Sequence, residues 1–70
     1  MADMVRSTVT NLYYDPREMV KIVNTKQAML YLKNHCTLYD LWESKGTLVF
    51  LFSRSETTAL YEKWLNRELV

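Results

Sequence analysis

The residues with the most obvious chemical potential stand side by side. His35 and Cys36 are each the only residue of their kind in the chain. An imidazole beside a thiol suggests a nucleophile with its base. Adjacent residues at a helix end point apart, however, and no third group is placed to orient the imidazole. The pair reads as helix cap and core filler. Asp40 and Glu43 suggest paired carboxylates, but three residues apart in a strand they fall on opposite faces. A single histidine adjoining a single cysteine gives no metal-ligand cluster, and a single glycine gives no phosphate-cradling loop. The sequence therefore predicts a non-enzyme with no metal and no cofactor.

Two other chemistries rest on aromatic side chains. Tyr13, Tyr14, Tyr39, Trp42 and Phe50 would make a stacking platform for single-stranded nucleic acid, flanked by Arg6, Arg17, Lys21 and Lys45. Against this, nine basic side chains are balanced by eight acidic ones, for a net charge of +1, and the acidic residues are dispersed. Such a balance supplies little attraction to phosphate or to anionic lipid. The same aromatics, with methionine, are the types enriched in the centres of protein interfaces. Recognition of a protein partner is the favoured expectation; a nucleic-acid-binding accessory domain is the alternative.

The elements that must position these residues fit one small domain, since 70 residues leave no room for a second core. A chain of this size buries only about 60% of its unfolded surface, so its stability is expected to be marginal. With one cysteine no intrachain disulfide can help, and a lone thiol suits a reducing, cytoplasmic setting. That leaves close packing or self-association. No hydrophobic signal segment or membrane-length apolar run is evident, and an apolar content of 49% argues against disorder.

Residues 1–17 read as an arm, with the alternation Thr8, Val9, Thr10 suiting an edge strand, and residues 18–70 as a single domain. Asp15-Pro16-Arg17-Glu18 has the grammar of either a helix start or a turn. A strand follows at about 18–23. A helix capped by Asn24 or Thr25 then runs over 26–34, with Gln27 able to reach back to Asn24 and Asn34 suited to the left-handed closing position. Residues 38–43 alternate as a strand, 44–46 form a hairpin turn, and 47–52 give the clearest strand. Ser53 and Glu56 have capping-box spacing, opening a helix to about Leu69.

This order predicts an α+β fold, a β-α-β-β-α layer with two helices on one face of a three-stranded sheet and a possible extra N-terminal strand. The crossover helix would set the first strand parallel to a partner. The expected core comprises Val20, Ile22, Ala28, Leu32, Leu48, Phe50, Phe52, Leu60, Tyr61, Trp64 and Leu65, with Met29, Tyr31 and Leu69 also turned inward. Val49 and Leu51 fall on the opposite face of their strand, where something else must cover them. A homodimer or another partner would do so, giving Tyr13, Tyr14, Tyr39, Trp42, Val49 and Leu51 as the candidate interface. The competing reading folds the arm, with Leu12, Tyr13 and Tyr14, over that face.

The runs KIVNTKQAMLYLKN, LYDLWESKGTLVFLF and SETTALYEKWLN, spanning about residues 19–66, resemble a family of short uncharacterised domains from phages, prophages and Gram-positive bacteria. Val49-Phe50-x-Phe52 and Trp64 carry the resemblance best. Asn34-His35-Cys36 departs from it, where a glycine is expected after the first helix. The resemblance implies no catalytic residues. It implies a mobile-element accessory protein, of which an inhibitor of a host factor or defence system is the specific version.

Overall fold

Thr47–Ser53 forms the longest strand and the axis around which the rest is arranged. The computed structural model describes residues 3–70. In chain order they form β1 (Val5–Arg6), β2 (Tyr13–Tyr14), a 3-10 turn (Pro16–Glu18), β3 (Met19–Ile22), α1 (Thr25–Lys33), β4 (Asp40–Ser44), β5 (Thr47–Ser53) and α2 (Arg54–Leu65). The architecture is α+β. A three-stranded sheet in the order β3-β5-β4 carries both helices, and β1-β2 makes a separate small hairpin.

Both sheet pairings are antiparallel, with Val20 opposite Phe52, Ile22 and Leu41 both opposite Phe50, and Trp42 opposite Val49. The expected parallel pairing is therefore corrected. β3 and β4 do run in the same direction, as the crossover through α1 requires, but β5 lies between them. The two-residue turn from β4 to β5 uses Lys45 at φ 51° and Gly46 at φ 82°, a doubly left-handed conformation whose twist matches that of the flanking strands. The Thr8–Thr10 alternation is no strand; it lies in the turn joining β1 to β2. The Asp15 carboxylate does cap a helix, accepting from the Arg17 N–H, but only a single 3-10 turn follows.

Phe50 and Phe52 face the helices. With Ala28 and Tyr31 of α1, Cys36 and Leu69 they form the buried cluster, against which Val20, Ile22, Leu32, Leu60 and Trp64 pack half-buried. Tyr31 meets Phe52 edge-on, ring centroids 5.4 Å apart and planes at 84°. Four residues expected inside are instead exposed: Met29, Leu48, Tyr61 and Leu65. Leu48 stands opposite Glu43 near the hairpin turn, beyond the helices' cover. On α2 the inward stripe is Thr57, Leu60 and Trp64, and this leaves Tyr61 and Leu65 one position outside it.

Helix ends account for the remaining differences. Asn24 Oδ1 accepts from the Gln27 N–H at 3.1 Å, as expected of a cap, but the Gln27 amide donates to the Tyr31 hydroxyl at 2.9 Å instead of reaching back. The capping box at Ser53 does not form, because Glu56 Oε1 accepts from the Thr37 N–H at 2.9 Å and ties down the loop after α1. Helix α2 stops at Leu65, and the chain turns so that Leu69 still enters the core. Both helices close the same way. A left-handed residue follows the cap, His35 at φ 70° and Arg67 at φ 58°. Cys36 and Glu68 then donate back to Tyr31 and Lys63 carbonyls at 3.0 and 2.8 Å. Asn34, expected in that conformation, precedes it.

A side chain with a Cβ costs about 1–2 kcal/mol in the left-handed region, and glycine gives back about half through its freer unfolded chain. His35→Gly and Arg67→Gly are therefore each expected to raise stability by ~0.5–1 kcal/mol in urea denaturation. A loss of stability in either variant would contradict this account of the helix ends.

Candidate binding groove

Val49 and Leu51, on the far side of the sheet from the helices, are only 6% and 3% exposed within a single chain. Three side chains lie on or beside that face. Trp42 lies beside Val49 on β4, and Lys21 reaches across β5 from β3, its Nζ 6.0 Å from the Trp42 ring centroid. The third is Tyr14, buried on the arm, whose hydroxyl donates to Asp40 Oδ2 at 2.7 Å. Asp40 is the cross-strand neighbour of Leu51, so this bond fastens the arm over that end of the far face.

The fastening is a small polar network. Ser7 Oγ donates to Asp40 Oδ1 at 2.7 Å and accepts from the Val9 and Thr10 N–H groups at 3.1 Å. Thr10 Oγ1 donates to the Tyr39 carbonyl at 2.8 Å, and the Leu41 N–H completes the Asp40 carboxylate at 2.9 Å. Burial pushes the Tyr14 phenol up to about 12, with its bond to the Asp40 carboxylate adding to the shift. At Asp40, burial acts upward, but the bonds from Tyr14, Ser7 and Leu41 outweigh it and hold the carboxyl below its ordinary range.

The six candidate interface residues are thus divided. Val49, Leu51 and Tyr14 are inside, Tyr39 and Trp42 are half-buried, and only Tyr13 is largely exposed. Nor do the five aromatics of the supposed stacking platform share a surface, since Phe50 belongs to the helix-facing core. Cys36 is buried, with Sγ 3.8 Å from the Glu56 carbonyl, while His35 is exposed. Burial, with the Glu56 charge, pushes the thiol up and away from the reactive thiolate. Asp40 and Glu43 lie on opposite faces of β4. Among the described residues, no group of three or more His, Cys, Asp or Glu could hold a metal, and no helix is long and apolar enough to cross a membrane.

On the helix side, along the outer margin of β3, the fold leaves a groove. A space of about 270 Å³ is lined by Val20 and Ile22 of β3, Tyr31 of α1, and Arg54, Thr57, Thr58, Tyr61 and Glu62 of α2. Its floor is apolar, and three of the four hydroxyls around it have partners within the chain. Tyr31 accepts from Gln27, and Thr57 and Thr58 donate to the Ser53 and Arg54 carbonyls at 3.0 and 2.7 Å. Its apolar floor lets the site bind apolar groups by excluding water. Sequence reasoning missed Arg54, Thr57, Thr58 and Glu62. The available signal was the i, i+3, i+7 spacing of Thr57, Leu60 and Trp64, obscured because Thr57 is polar. No family model matches the chain, and no curated protein or solved structure is found similar to it.

Tyr14→Phe removes one charge-assisted bond and is expected to cost about 1.5 kcal/mol. It should speed amide exchange at Leu51 more than at Phe52; equal effects would mean the arm does not cover that face. Acid should have the same effect on the wild type. Because Asp40 is depressed in the folded state, its contribution is complete above the ordinary aspartate value of about 3.9 and is lost as pH falls below it. Asp40→Asn should flatten that part of the acid unfolding curve, leaving the contribution of Asp15, which Arg17 depresses in the same way.

Proposed function

We propose that this chain is a small protein-interaction module that uses the groove between β3 and α2 to take apolar side chains of a partner protein. The observation that carries the reading is an apolar floor left open in so small a domain, although Val49 and Leu51 on the far face of the same sheet are buried. Binding is further supported by the commitment of the Tyr31, Thr57 and Thr58 hydroxyls to partners within the chain. Its volume, just under the ~300–1,000 Å³ usual for small-molecule pockets, suits one or two inserted side chains better than a metabolite.

Self-association through the far face has lost its main argument, because Val49 and Leu51 need no second copy to cover them. The resemblance of residues 19–66 to short phage and prophage domains supports an accessory role for the module, with masking of a host or defence protein as its specific form.

Selection of displayed random peptides on the immobilised protein tests the reading. Peptides recovered on the wild type should bind Tyr61→Asp at least about tenfold more weakly, since a charge at the exposed rim spoils an apolar site. They should bind Tyr13→Asp, altered on the arm, unchanged. Recovery of no peptides, or of peptides indifferent to Tyr61→Asp, would refute it.

A further inference from the structure

The groove has two properties beyond its apolar floor, and together they specify what enters it. The first is backbone. Sheet order places β3 at an edge, and among the described residues no strand pairs with its outer side. An edge strand presents unpaired N–H and C=O groups and accepts a further extended segment. The second is charge. Among the described residues the only ion pair joins Arg17 to Asp15, which leaves Arg54 and Glu62 at the groove uncommitted.

Their placement is directional. Arg54 follows Ser53, which pairs with Met19, so the cation marks the beginning of β3. Glu62 lines the groove with Ile22 and marks the strand's end. The two charges lie eight helical steps apart, about 12 Å at 1.5 Å per residue. An extended chain covers that distance in roughly four residues, and its first, third and fifth side chains share one face.

We infer that the groove binds an extended segment of a partner protein that adds to the outer edge of β3 and carries a basic residue, a large apolar residue and an acidic residue at alternate positions. This deepens the reading proposed above and rests on it. The apolar side chain enters between Val20, Ile22 and Tyr61, the acidic one meets Arg54, and the basic one meets Glu62. Basic-first order corresponds to antiparallel addition, the slightly more stable arrangement.

A second copy's own β3, Met19–Ile22, does not offer that pattern: its one charged residue, Lys21, lies on the far face against Trp42, and it carries no acidic residue to meet Arg54. The segment that the charges select is another protein's.

The test uses the full chain and four labelled peptides read by fluorescence anisotropy. Thr-Lys-Thr-Leu-Thr-Glu-Thr is compared with versions carrying two lysines, two glutamates or two serines at the charged positions. The mixed peptide should bind about tenfold more tightly than any of the others at low salt, and the margin should shrink as salt rises. N-methylation of its central amides should weaken it at least about tenfold through loss of the added-strand hydrogen bonds. Arg54 and Glu62 are exposed, so reversing them leaves the core intact. Arg54→Glu should shift preference to the two-lysine peptide, and Glu62→Arg to the two-glutamate peptide. Equal affinities across the four peptides, tolerance of N-methylation, or no binding by any would overturn the inference. If display-selected peptides still required Tyr61 in any of those cases, the groove would remain a binding site and only its strand-adding, charge-matched character would fail.

Discussion

A strand that is apolar on both faces obliges the chain to cover it twice, and nearly everything else in this molecule answers that obligation. The run Leu48-Val49-Phe50-Leu51-Phe52 cannot lie on the surface of a half-solvated sheet. Two helices are enough for one side, where Phe50 and Phe52 meet Ala28 and Tyr31. For the other side the chain has only residues 3–18 and the long side chains of the flanking strands. It uses both, with the β1–β2 hairpin at one end and the Lys21–Trp42 contact across the middle.

The means of attachment differ between the two sides in a way that follows from composition. The helix side is held by apolar contact, which is non-directional and tolerates half-buried partners such as Leu60 and Trp64. The arm has little apolar area to offer inward, and Met4, Val5, Val9 and Tyr13 are exposed on it. It is located instead by hydrogen bonds to one carboxylate and one carbonyl. Such bonds are geometrically exacting, and together they specify where the arm sits. No buried side-chain donor or acceptor among the described residues is left without a partner, as an attachment of this kind requires.

The three strands of the main sheet, the first helix, the Lys45-Gly46 turn and the helix-facing phenylalanines were legible in the sequence because each rests on local chemistry. Alternation sets a face, Asn24 caps, and glycine permits the turn. The errors arise where a side chain had two partners to choose between. Glu56 had the right spacing to complete a capping box and took the Thr37 amide instead; Gln27 took Tyr31. Register along α2 was misjudged because a buried threonine was passed over for more apolar neighbours. The position of β5 between β3 and β4 is a matter of long-range pairing that no local pattern encodes. Of the groove, Val20, Ile22, Tyr31 and Tyr61 were noticed, but as core. A groove is the part of an apolar face that packing fails to fill, and only the relative placement of β3 and α2 reveals it.

One consequence of the arm's attachment concerns which part of the chain decides where it sits. Every side-chain bond from Ser7, Thr10 and Tyr14 to the main sheet ends on β4 or on the residue just before it, and none involves Asp15 or Pro16. The seat is therefore written in the acceptors at the start of β4, and the linker's task is only to be long enough to reach them.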